Sequence, residues 1–161
     1  MNTSDQSLFP MDSAFKRRWD WEYVPINYKE AENLVINIDE QTEYNWGSFI
    51  SIINPKIKEL TGSEDKQLGN YFISPADKII SFEQFRSKVM FYLWSEVYKD
   101  ETGSQNSIFK SIIEENETKD FQFGELFSDI KQGITPQKLL IGFMQFNGIP
   151  NQKYMLDNFK R

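Results

Sequence analysis

Met1-Asn2-Thr3-Ser4-Asp5-Gln6-Ser7-Leu8-Phe9-Pro10-Met11-Asp12-Ser13-Ala14-Phe15-Lys16-Arg17-Arg18-Trp19 is the stretch that decides how this chain is read. Residues 1–8 read as the end of a strand and the turn after it. Phe9-Pro10-Met11-Asp12 opens a short helix that Ala14 to Arg18 continue. The basic triplet Lys16-Arg17-Arg18 then falls at the helix C-terminus, where the helix dipole favours cations. Trp19 to Ile26 alternates large apolar and polar side chains and predicts a strand. Pro25 has no N–H, so that strand lies at an edge or ends there.

Beyond it, Asn33 to Asp39 is a weaker strand candidate. Trp46, Phe49, Ile50, Ile53, Ile57 and Leu60 follow three- and four-residue steps and predict a helix over 46–61, ended by Gly62. Asn54-Pro55 either kinks this helix or starts a second one, with Asn54 as cap. Asp65 to Ile73 reads as a turn and a short extended piece. The strongest helix is 82–99, where Ser81 and Gln84 form a capping box. Asp100 to Asn106 is a polar break. A short helix near 107–115, an aromatic patch (Phe121, Phe123, Phe127) and a helix near 136–146 follow. The last has Thr135 as cap, Pro136 at its first position and Gly148 beyond its end.

Composition narrows the chemistry. The chain has 161 residues, with 14 Phe, 7 Tyr and 4 Trp, enough aromatic material for a core. It has no cysteine and no histidine, which removes disulfides, thiolate or imidazole metal sites and Ser-His triads. Carboxylates, Lys, Arg, Asn and hydroxyls remain, an inventory that suits support of phosphoryl transfer. The formal charge of −6 and a single dense basic cluster disfavour direct binding to nucleic acid. No apolar run approaches the ~20 residues that span a bilayer. The N-terminus lacks the layout of a secretory signal, so a cytoplasmic protein is expected. Glu114, Glu115, Glu117 and Asp120 lack the spacing of a Ca²⁺ loop and read as a solvated face; no metal site is expected.

The order Asn-Thr-Ser-Asp, Asp12, basic triplet, aromatic strand resembles the second half of a AAA+ nucleotide-hydrolysing core. It is most similar to the dynein-related branch that holds the McrB-like GTPase subunits of methylation-dependent restriction systems. The resemblance implies that Asn2 is sensor 1, near the γ-phosphate, where an amide can donate to a phosphate oxygen and accept from water. Asp5 matches the family's acidic residue just beyond. It also implies that Arg17 or Arg18, 15 and 16 residues after Asn2, is an arginine finger for the neighbouring subunit's nucleotide. Asp65-Lys66-Gln67-Leu68-Gly69-Asn70-Tyr71-Phe72 resembles a lid element with sensor 2 function, in which Lys66 and Gly69 approach the nucleotide. The plain alternative is a lid turn, with Gly69 at positive φ and Tyr71-Phe72 packed in the core.

The expected fold is therefore α+β, mostly α, in three parts. Residues 1–27 end a AAA+ α/β core, 28–100 form a helical lid, and 101–161 are a helical C-terminal extension. The complete subunit would use ATP or GTP with Mg²⁺. Its partners would be other AAA+ subunits in a ring and a nuclease subunit, with DNA met only indirectly and no membrane. The 161 residues contain no G-x-x-x-x-G-K-[ST] loop and no apolar strand ending in Asp-Glu, so the chain reads as the C-terminal piece of a motor, inactive alone. Two other readings stay open: a non-enzymatic helical interaction module and a DNA-binding domain.

Overall fold

The computed structural model describes residues 17–20, 22–98, 107–115, 117–128 and 133–153. Strands β1 (Val35–Asp39) and β2 (Thr42–Asn45) form an antiparallel hairpin, with Ile36 opposite Tyr44. Asp39 closes its turn by accepting hydrogen bonds from Gln41 N (2.9 Å) and Thr42 Oγ1 (2.7 Å). A short glutamate-bearing 3₁₀ turn, Glu30–Asn33, leads into it. After β2 the chain enters helix α1 (Trp46–Thr61) and returns as β3 (Ile79–Ile80), parallel to β1. The sheet order is β2-β1-β3.

Helix α1 starts because Asn45 accepts a hydrogen bond from Ser48 N. It ends because Gly62, at φ 66°, takes the left-handed turn that a Cβ would strain. Pro55 lies inside α1, and the helix runs through it unbroken. Of the two readings of Asn54-Pro55, a second helix capped by Asn54 is thus excluded. Helix α2 covers residues 82–98, opened by the Ser81–Gln84 capping box and wound as π-helix over Phe85–Met90 and Leu93–Tyr98. Helix α3 (Pro136–Asn147) has the Thr135 cap, the Pro136 start and the Gly148 stop that its sequence predicts.

Two expectations fail here. Residues 107–115 do not form a helix; Lys110–Glu114 is β4, paired antiparallel with β5 (Glu117–Asp120). Phe109, Ser111 and Phe121 are buried, while Glu114, Glu115, Glu117 and Asp120 are exposed on the hairpin. The part expected to be a helical extension therefore contains a two-stranded sheet. The strand expected over Trp19 to Ile26 is also absent among its described residues: they carry no ladder, and Tyr23 and Val24 are 75% and 80% exposed. An alternating pattern makes a strand only where a partner edge supplies hydrogen bonds. The chain is thus α+β, with a sheet in each half.

The core is continuous. Trp46, Phe49, Ile50, Ile53 and Ile57 from α1 meet Phe85, Val89 and Leu93 from α2. Phe49 packs edge-on against Phe85 at 5.2 Å. Trp94 and Tyr98 carry the core onward to Phe109, which meets Phe121 and Phe143 at 5.6 and 6.1 Å. The same buried cluster therefore draws on residues on both sides of the polar break at 100–106.

Candidate functional site

The segment from Lys66 to Phe72 is held by four side chains that reach it from elsewhere. Asn54, buried within α1, accepts a hydrogen bond from Leu68 N (2.8 Å) and donates to Leu68 O (2.9 Å). Its amide pairs with the Leu68 peptide as a neighbouring strand would. Gln67 Nε2 returns a bond to the Asn54 carbonyl (3.1 Å). Trp46 Nε1 donates to Asn70 O (3.3 Å), and Tyr92 Oη donates to Lys66 O (3.1 Å). Burial pushes the Tyr92 hydroxyl above its ordinary pKa, and the nearby carboxylates of Glu96 and Asp65 push the same way.

Glu30 is the hub on the outer side. Its carboxylate accepts from Asn27 Nδ2 (3.0 Å), Asn70 Nδ2 (3.2 Å) and Tyr71 Oη (3.2 Å). Tyr71 is 77% exposed and touches Glu30 through its hydroxyl, whereas Phe72 packs between Trp46 and Tyr92. The expectation that both aromatics pack in the core holds for Phe72 alone. Gly69 is not at positive φ either; the glycines that are, among those described, are Gly62, Gly133 and Gly148. A Cβ at Gly69 would meet nothing within 4 Å among the described residues, so neither backbone angle nor crowding by them demands glycine there.

Lys66 Nζ donates to the Glu96 carbonyl (2.7 Å). The ammonium thus ties this segment to the π-wound part of α2. Arg17 and Arg18 lie on an exposed turn. Asn2 and Asp5 lie outside the described residues. The structure brings Lys66 and Gly69 into one loop. Among the described residues no group of three acidic side chains is placed to hold a metal ion. No helix of the described residues is long and apolar enough to cross a membrane.

Asn54 and Glu30 are organising residues; the sequence pattern marks Asn54 only as a possible cap and does not single out Glu30. Asn54 carried a signal, an amide at an apolar-stripe position, which invites the question of what satisfies it. Replacing Asn54 by leucine is expected to cost about 2 kcal/mol, because the Leu68 N–H and C=O lose their partners in a buried place. Urea unfolding checks this, and a midpoint equal to wild type would show that Leu68 finds other partners. Accelerated amide exchange at Leu68 and Asn70 is the local sign.

The chain is 33% identical over 104 residues to the type II restriction enzyme BsuMI component YdiS of Bacillus subtilis (strain 168). The match covers 62% of this chain and 30% of that protein, so the chain spans less than a third of the relative's length. No family model matches. No solved structure matches.

Proposed function

We propose that these residues belong to a AAA+ NTPase subunit of the McrB-like, dynein-related kind, working in DNA restriction. The 33% identity to a named restriction-enzyme component supports the restriction setting, and the AAA+ part of the reading rests on the motif order in residues 1–19. In this reading Asn2 is sensor 1, Asp5 is its acidic companion, and Arg17 or Arg18 is the finger that enters a neighbouring subunit's site. Lys66 and Gly69 belong to the lid segment that follows the nucleotide state. The ring partners are further AAA+ subunits, with a nuclease subunit as the effector and DNA engaged through the assembly.

The donor set suits this role in part. A guanidinium pair on an exposed turn can present planar, permanently charged forks to phosphoryl oxygens. Lys66 has one donor committed to Glu96 O, so its part in the lid is to couple the 66–72 segment to α2. Bound nucleotide with Mg²⁺ would supply the phosphoryl group and its charge. The chain's own residues would sense, neutralise and position. In particular, Tyr92, Lys66 and Asn54 join the loop to two helices, so a displacement at the loop is passed to the lid core.

The test is complementation in trans. This chain is mixed with a complete McrB-like subunit whose own finger is replaced, and hydrolysis of ATP and of GTP is followed. Hydrolysis is expected to return with this chain and to be lost when Arg17 and Arg18 are both alanine. The chain alone is expected to turn over neither nucleotide, since it has no phosphate-binding loop sequence. A folded chain that gives no restoration, or restoration untouched by the double substitution, would favour an interaction module without catalytic residues.

A further inference from the structure

A second site lies away from the 66–72 loop. Between α1 and the end of α3 is a cleft of about 340 Å³, walled by Leu60, Ile108 and Phe146 and carrying Lys56 and Ser107. Its size falls at the small end of ligand pockets. Lys56 Nζ donates to Asn147 O (3.1 Å) and Asn147 Oδ1 (3.0 Å). Those acceptors are fixed, because Asn147 Nδ2 is itself bonded to Ile108 O and Phe143 O. An ammonium has three donors, and two are met here by neutral oxygens. No carboxylate of the described residues forms an ion pair with Lys56. Burial pushes its pKa below the ordinary lysine value.

The rest of the cleft is matched to this cation. Ser107 is buried, and its Oγ accepts from Phe109 N (3.1 Å), which leaves the hydroxyl proton as a donor. Lys110 Nζ stands 6.0 Å from the centre of the Phe146 ring. Glu59 is exposed at the rim, and with the chain's charge of −6 it opposes a doubly charged ligand more than a singly charged one. A partly buried cation met by neutral acceptors gains most from an arriving anion.

We propose that this cleft binds a monocarboxylate borne on a bulky apolar body, with the carboxylate on Lys56 Nζ and Ser107 Oγ and the body against Leu60, Ile108 and Phe146. The shared chemistry has two sources, a free small carboxylate or the carboxyl terminus of a polypeptide. The proposal does not depend on the AAA+ reading.

The experiment is a titration of the ¹⁵N-labelled chain followed by NMR at Leu60, Ser107 and Ile108. The probes are 3-phenylpropionate, the tetrapeptide acid Gly-Gly-Gly-Phe, the carboxamide of each, and inorganic phosphate. Saturable shifts are expected with the two carboxylates. The carboxamides are expected to bind about tenfold more weakly, the loss of one charge-assisted contact. Tighter binding of the peptide acid identifies a chain terminus as the source, and tighter binding of 3-phenylpropionate identifies a small molecule. Lys56→Gln can still donate to Asn147 but has lost the charge, so it is expected to weaken both acids about tenfold. Phe146→Ala, a wall residue with no hydrogen bond to lose, serves if Lys56→Gln does not fold, and should weaken the acids several-fold. Acids and carboxamides binding alike, phosphate binding as well as the acids, or no saturable shift would overturn the proposal.

Discussion

Replacing Arg17 and Arg18 together by alanine in a complete subunit carrying this segment is expected to lower nucleotide hydrolysis about 10³-fold or more. Loss of a finger is so costly because its charge meets the phosphoryl group only as charge builds there, so the contact acts on the rate and little on binding. Nucleotide affinity should therefore stay near wild type while turnover falls. Both arginines are on an exposed turn. Surface changes of that kind shift stability by about 0.5 kcal/mol or less, so a melting curve separates this effect from unfolding. The single substitutions then assign the finger: one should reproduce the whole loss and the other should be close to silent. Lysine at the finger position keeps the charge but not the two-pronged geometry, and should recover only part of the rate. Steady-state hydrolysis with titrated nucleotide is the measurement. A double variant within tenfold of wild type would remove the finger role from both residues.

The helices of this chain are legible in the sequence where periodicity and punctuation agree. Thr135, Pro136 and Gly148 bracket α3, and Ser81 with Gln84 starts α2, because caps act through bonds within a few residues of themselves. The hairpin β4–β5 is not legible in the same way. Ile108, Phe109, Ile112 and Ile113 repeat at one- and four-residue steps, which suit a helix face as well as a strand. What decides is distant: Phe109 joins Phe121 and Phe143, and β4 lies on α3. The opposite error occurs at Trp19 to Ile26, where the alternation is clear but no ladder forms among the described residues. For the candidate site, residue types were readable and partners were not. Lys66 reads as a cation approaching the nucleotide, yet its Nζ is held by a carbonyl 30 residues further along the chain. Asn54 reads as a cap, yet its amide serves the Leu68 peptide. The Lys56 cleft depends on two helices meeting, and no pattern within α1 announces it.

Gly142→Ala is expected to destabilise the fold by about 3 kcal/mol, toward the upper end of overpacking costs. Helix propensity alone predicts the reverse, since alanine in a helix interior is favoured over glycine by about 1 kcal/mol. Steric overlap wins here because α3 rests its backbone on β4. A Cβ at position 142 would overlap the Ile112 carbonyl oxygen and Ser111 Oγ, and would stand 2.9 Å from Ile112 N. Ser111 Oγ is one movable atom. The Ile112 carbonyl is backbone within a strand paired to β5, so relief would require α3 to lift from the hairpin. That shift would open the contacts of Phe143 with Phe109 and Phe121. For a domain of this size the loss corresponds to a drop in Tm of about 10 °C. Two companion variants locate its cause. Ser111→Ala alone should be nearly neutral, because Ser111 Oγ is buried without a hydrogen-bond partner among the described residues. Combined with Gly142→Ala, it should recover only a minor part of the loss, since the backbone overlap remains. Full recovery in the double variant would move the conflict to the serine hydroxyl. A Gly142→Ala protein as stable as wild type would mean that α3 does not lie this close to β4.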